Sequence, residues 1–79
     1  MTIRVRPFAR IGEIVTSPVL DVPPGATAGT AWRALSRAFA QLEPLRASTR
    51  LVVNGEFAND ATPLHDGDEL ALLPPFGGG

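Results

Sequence analysis

The chain is 79 residues long, 44% apolar and 19% charged, with a formal net charge of −1 at neutral pH, which bounds it to one small domain with a modest core and no deep catalytic cleft. It contains no cysteine, and this excludes disulfides, thiolate metal sites and thiol nucleophiles together. All seven basic residues are arginines, and Arg4, Arg6, Arg10, Arg33, Arg37, Arg46 and Arg50 are scattered among acids rather than gathered into a basic footprint, so nucleic acid is not an expected partner.

Ile3 and Val5 alternate with Arg4 and Arg6, the period-two signature of a half-buried first strand. Pro7 cannot donate to a ladder, so regular pairing is expected to end or kink near Phe8. A connection from Gly12 to Pro18 leads to Val19, Leu20 and Val22, a second short strand that Pro23-Pro24-Gly25 stops. Thr27 stands where a helix N-cap belongs, and from Ala28 to Gln41 the residues Trp32, Leu35, Phe39 and Leu42 trace one face of an amphipathic helix. Three residues after Thr27 comes Thr30 rather than Glu, so a full capping box is not expected. Arg33 and Arg37 lie one turn apart on another face, and Pro44 is expected to end the segment. An aromatic stripe at helical spacing serves the core before it serves a ligand groove.

Leu51, Val52 and Val53 form a third strand, and Asn54-Gly55 is a two-residue hairpin turn into Glu56-Phe57. The stretch from Ala58 to Gly67 is rich in turn residues, and Glu69-Leu70-Ala71-Leu72-Leu73 reads as the last strand, with Leu70 and Leu72 on one face and Ala71 and Leu73 on the other. Strands arranged around one main helix give an α+β layer architecture. In its β-grasp form, four to five strands make a mixed sheet whose first and last strands lie parallel at the centre. A ferredoxin-like split is the competing order; it needs a second helix, and residues 58–67 are too short and too turn-rich to supply one. The start, Met1-Thr2-Ile3-Arg4-Val5, lacks a signal-peptide run and no stretch approaches a bilayer span, so a soluble cytoplasmic protein with no membrane partner is expected.

Side-chain chemistry is sparse. His65 is the only histidine and sits in a turn, with no second histidine or cysteine to complete a zinc set. Asp66, Asp68 and Glu69 lack the spacing of a calcium loop, and no metal site is expected. Ser17, Ser36 and Ser48 stand in no nucleophile-elbow context, and Gly77-Gly78-Gly79 follows the final strand with no helix behind it, unlike a phosphate loop. The chain is therefore not expected to be an enzyme by itself or to bind a cofactor.

The C-terminal residues divide from the rest: residues 1–73 read as the domain and 74–79 as a Gly-rich tail. A glycine tail has two readings, a cloning scar or frayed end, and a working terminus slim enough to thread a channel closed to side chains. On the second reading the reactive group is the Gly79 α-carboxylate, ionised at neutral pH and a poor electrophile until activated. Adenylation by ATP would supply the leaving group, and a partner must hold the nucleotide. Leu73 and Phe76, apolar beside the departing tail, are candidates for partner contact, with Pro74 and Pro75 stiffening the tail's base and Gly77 and Gly78 slimming its tip. Leu73 has the alternative of closing on the domain's own loops.

Several linked features carry a family resemblance. Val53-Asn54, then Pro63-Leu64, Asp66-Gly67-Asp68-Glu69, and Pro74-Pro75 followed by two residues and Gly78-Gly79 resemble, in order and spacing, the C-terminal third of the MoaD/ThiS sulfur carriers. These are ubiquitin-like β-grasp proteins ending in Gly-Gly, and the likeness is greatest to the molybdopterin synthase small-subunit (MoaD) branch. The start, from Ile3 to Val15 with Phe8-Ala9 and Glu13, is similar too. Departures are Pro7 in the first strand and the additional Gly77.

The resemblance implies a cycle. A ubiquitin-activating-type adenylating enzyme would use ATP to adenylate Gly79, a persulfide sulfur donor would convert it to a thiocarboxylate, and the tail would insert into the molybdopterin synthase large subunit in a heterotetramer. There the sulfur would pass to a cyclic pyranopterin precursor of the molybdenum cofactor, with catalytic residues on the large subunit. Three alternatives stay open: a carrier for thiamine, cysteine or tRNA thiolation, a ubiquitin-like protein modifier, and an interaction module with an inert tail.

Overall fold

A computed structural model describes residues 1–74. Five strands form one mixed sheet: β1 (Thr2–Pro7), β2 (Val19–Asp21), β3 (Arg50–Val53), β4 (Glu56–Ala58) and β5 (Glu69–Leu73), in the spatial order β2-β1-β5-β3-β4. The central pair, β1 and β5, is parallel, with Val5 opposite Leu70 and Pro7 opposite Leu72. All other pairings are antiparallel. With α2 (Ala28–Ala38) laid on one face, this is the ubiquitin-like β-grasp arrangement anticipated from the sequence, and the ferredoxin-like alternative is ruled out.

Alternation sorts the strand residues between the two faces. Ile3 and Val5 of β1, Leu51 of β3, and Leu70 and Leu72 of β5 are buried in the core cluster with Ala28, Ala31, Trp32 and Leu35 of α2. The helical stripe thus closes the core, as expected of its spacing. Phe39 packs at its edge, half-buried, while Leu42 is fully enclosed.

Pro7 completes β1 instead of breaking it. On the β2 side the ladder covers only Thr2 to Arg4, so by Pro7 that edge calls for no donor. On the β5 side, pairing closes where Phe8 N–H donates to Leu72 O at 3.0 Å, which is where the sequence placed its end.

Four local expectations are corrected. The Gly12 to Pro18 connection begins inside a short helix, α1 (Ile11–Ile14), whose Ile11 is buried; four residues containing a glycine leave no periodicity to detect. A capping box does exist at α2: Thr27 Oγ1 accepts from Thr30 N–H at 3.2 Å, and Thr30 Oγ1 accepts from Thr27 N–H at 3.2 Å. A hydroxyl one atom from Cβ does here what Glu or Gln does in the usual motif. The α-helix stops at Ala38 rather than Gln41, because Phe39 leaves helical backbone at φ −130°, ψ 86°. Pro44 then lies within a 3-10 segment, Ala40–Ser48, instead of ending the helix.

The turn-rich stretch after β4 completes the start of α2. Ala28 N–H donates to Thr62 O at 2.8 Å and Gly29 N–H to Asp60 O at 3.0 Å, satisfying amides that a helix N-terminus leaves without partners. Gly29 is required by this approach, since a Cβ there would lie 2.9 Å from both the Asp60 Cβ and its carbonyl oxygen.

Candidate functional site

The sheet has a second face, away from α2, and register places its residues in rows. Arg6, Ala71, Val52 and Phe57 lie side by side across β1, β5, β3 and β4, and Leu73 stands opposite Arg50 in the next row. Phe8, whose amide is bonded to Leu72 O, flanks that second row beyond the end of β1. Ala71 and Val52 are buried yet stand outside the core cluster. They form the floor of a second, thinner apolar surface whose longer neighbours rise around them.

The rim of this surface is aromatic and cationic. Phe57 is 68% exposed and Phe8 38%, against 5% for Trp32 on α2. The Arg50 guanidinium lies over the Phe57 ring, 5.6 Å from its centroid, and that of Arg6 over the Phe8 ring at 5.3 Å. Each pair holds a cation against an aromatic face. Arg6 also sits 3.6 Å from Glu69, and Arg4 belongs to the same face, so three arginines share it with two strand carboxylates, Glu69 and Asp21. Aromatic and arginine side chains around a dry centre are the composition of a protein-binding patch, and the excess charge suits an acidic partner.

Leu73 is half-buried at the end of β5 and belongs to the apolar face, opposite Arg50. Pro74 is half-buried too, lining a shallow groove of about 220 Å³ with Arg10, Ile11, Leu45, Ser48 and Thr49. The site positions expected at Pro75, Phe76, Gly77, Gly78 and Gly79 lie outside the described residues.

The run Asp66-Gly67-Asp68-Glu69 has a structural task. Asp66 Oδ1 accepts from Thr2 N–H at 2.8 Å, and Gly67 N–H donates to Thr2 O at 2.8 Å, tying the approach to β5 onto the start of β1. Asp68 accepts from Asn54 Nδ2 at 2.9 Å and from His65 N–H at 2.7 Å, while Asn54 Oδ1 accepts from Glu69 N–H at 2.9 Å. The Asn54 amide, the His65 amide and the nearby imidazole together hold the Asp68 carboxyl below its ordinary value. His65 itself is exposed, 3.8 Å from Asp68. These carboxylates anchor backbone, and the clamp fixes the entry to β5 against the start of β1 and the β3 turn.

Sequence reading missed Phe8 and Phe57 as surface residues, along with Val52 and the arginines that frame them. Alternation within the three residues of β4 is too short to show which way Phe57 points, and only cross-strand register puts it beside Val52.

Comparison with known proteins adds family identity to this geometry. The family model described as ThiS family matches residues 5–79. A molybdopterin synthase sulfur carrier subunit from Arabidopsis thaliana is 35% identical over 79 residues, covering 98% of this chain and 82% of that protein. The crystal structure of SAMP1, a small archaeal modifier protein from Haloferax volcanii, superposes with a TM-score of 0.84 at 34% identity, covering 100% of both chains. A complex of subunits 1 and 2 of the molybdopterin-converting factor from Helicobacter pylori 26695 contains a chain matching at TM-score 0.68 and 28% identity, again covering 100% of both chains.

Proposed function

Because the chain belongs to the ThiS family, we propose that it is the sulfur carrier subunit of a molybdopterin synthase, presenting Gly79 as the atom-bearing end. The observation that carries this reading is the coincidence of two features at one strand end. β5 contributes Ala71 and Leu73 to the apolar face and then passes directly into Pro74 and the Gly-rich segment. A partner docked on that face is thereby placed to receive the tail.

The chemistry divides between carrier and partners. An adenylating enzyme joins the Gly79 carboxylate oxygen to the α-phosphate of ATP and releases pyrophosphate. A persulfide sulfur attacks the resulting acyl carbon and AMP leaves; a thiol then attacks the donor-side sulfur of the acyl disulfide, forming a disulfide with the donor and releasing a thiocarboxylate on Gly79. The tail then enters the large subunit, and sulfur passes to a cyclic pyranopterin precursor while the carbonyl is hydrolysed back to carboxylate. The six residues from Pro74 to Gly79 reach roughly 20 Å when extended, enough to carry the terminus into a neighbour's interior. Gly77 and Gly78 let the tail pass through a narrow channel, and Leu73, Pro74, Pro75 and Phe76 contact the channel mouth. This chain holds no nucleotide or metal in the scheme and contributes no catalytic base; it works in the cytoplasm, two copies to a heterotetramer with two large subunits.

A second reading is favoured by the likeness to SAMP1: joining Gly79 to amines on other proteins. The chain has no lysine, so on that reading it builds no lysine-linked chains on itself. Intact mass after incubation with ATP, a cognate adenylating enzyme and a persulfide donor tests the carrier reading. It predicts a sulfur-for-oxygen increment on the C-terminal peptide. An unchanged mass with competent enzymes, or isopeptide remnants of this tail on other proteins in its place, would contradict it.

A further inference from the structure

The helix side of the molecule carries charge that this scheme does not use. A shallow groove of about 350 Å³ runs between α2 and the 3-10 segment, lined by Trp32, Arg33, Ser36 and Arg37 from the helix and by Glu43 from the segment. Arg33 and Arg37 are exposed, one helical turn apart, and neither pairs with a carboxylate among the described residues. Arg46, by contrast, is committed to Asp60 and to the face of the Trp32 ring. Between the two arginines in sequence, the Ser36 hydroxyl is enclosed and has no hydrogen-bond partner. An enclosed hydroxyl without a partner is destabilising, and a bound acceptor removes that penalty.

We propose that this groove docks an acidic segment of a partner protein, with one carboxylate for each of Arg33 and Arg37 and the Ser36 hydroxyl turning about χ1 to donate to one of them. Two helical positions whose Cβ atoms stand about 5–6 Å apart match two carboxylates spaced one turn apart on a facing helix. Glu43 decides the class of ligand. A carboxylate on the rim repels a chain of phosphates, whose charges follow one another without interruption. In a protein segment it meets instead a lysine or arginine set beside the two acids. Trp32, only 5% exposed, gives the same segment an apolar floor.

Location gives the site its use. α2 covers one face of the sheet, and the Phe8, Phe57 and arginine surface lies on the other, so a partner held at the groove leaves that surface open. Resting on the carrier reading, in which an adenylating enzyme and a large subunit are both visited, the groove keeps one acidic partner attached while the sheet face changes hands.

NMR titration of the full chain at low salt tests docking apart from any sulfur chemistry. The probe is a short alanine-based helical peptide carrying glutamates at i and i+4 and a lysine one turn further on. Shift changes should centre on Arg33, Ser36, Arg37 and Glu43. Arg33→Gln combined with Arg37→Gln should weaken binding by about tenfold, the sum of two exposed ion pairs. Arg33→Glu combined with Arg37→Glu should instead bind the peptide with lysines in place of its glutamates. Ser36→Ala should lower affinity without lowering stability, since it removes a hydroxyl that lacks a partner in the unbound chain. Shifts centred on Arg4, Arg6 and Arg50, equal binding of a peptide with glutamines for its glutamates, or tighter binding of inorganic phosphate than of the peptide would overturn the proposal. Where the large subunit binds, peptide affinity should be unchanged in its presence; loss of the peptide there would overturn simultaneous docking while leaving the groove and the carrier reading intact.

Discussion

Gly29 and Asp68 carry more of this fold than their sizes suggest. Replacing a helical glycine with alanine gains about 0.5–1 kcal/mol of backbone entropy. Here that gain is outweighed, because the added Cβ would stand 2.9 Å from the Asp60 backbone oxygen that accepts the Gly29 amide. Gly29→Ala should therefore lose about 1–2 kcal/mol net in urea unfolding, within the usual cost of overpacking; a gain in stability would show that residues 60–62 yield freely. Asp68 makes a different prediction, with a pH signature. Its carboxyl is held below the ordinary value in the folded chain, so its contribution is present above the unfolded carboxylate pKa and is lost as pH falls through the folded one. Asp68→Asn should cost about 1.5–3 kcal/mol at neutral pH, the range for hydrogen bonds to a charged group. That deficit should begin to shrink below about pH 4, where the carboxyl of the unfolded chain takes up its proton, and go on shrinking as pH falls through the lower folded value. A deficit independent of pH would assign the loss to geometry alone.

At the scale of elements, what was legible depended on how local the signal was. β1 and β5 announce themselves through alternation, and Asn54-Gly55 fixes its hairpin because Asn54 at φ 50° and Gly55 at φ 85° are the left-handed pair such a turn demands. α1 was hidden by its four-residue length and its glycine, and Thr30 was overlooked because its capping role is played by an uncommon residue. The open sheet face was hidden for another reason. Phe8, Val52, Phe57 and Leu73 belong to different strands or strand ends, and only the register of β1, β5, β3 and β4 makes them neighbours. Phe57 gives this face its sharpest test. Since its ring is mostly in water, Phe57→Ser should change stability by no more than about 0.5 kcal/mol. As an aromatic anchor in a partner interface it should weaken binding to the large subunit by roughly 30-fold, measured by calorimetry, the loss typical of a hot spot. Unaltered affinity would remove the open sheet face from the interface.

For the whole molecule, the parts assign labour by position. Helix and sheet enclose one core, the Asp66-to-Asp68 clamp fixes the entry to β5, and the opposite sheet face gathers apolar and cationic groups beside the strand's exit. The absence of cysteine fits a carrier whose cargo is held by a backbone terminus, since no thiol competes for the sulfur. Family membership and this layout support the proposed delivery of sulfur to a partner, and the recipient is the claim that most needs measurement. The direct test is reconstitution. The chain, thiocarboxylated at Gly79, is mixed with a molybdopterin synthase large subunit and the cyclic pyranopterin precursor, and dithiolene product is quantified against carrier consumed. Two carriers spent per molybdopterin formed, one for each dithiolene sulfur, is the predicted result; loaded carrier that binds the large subunit yet yields no dithiolene would contradict it.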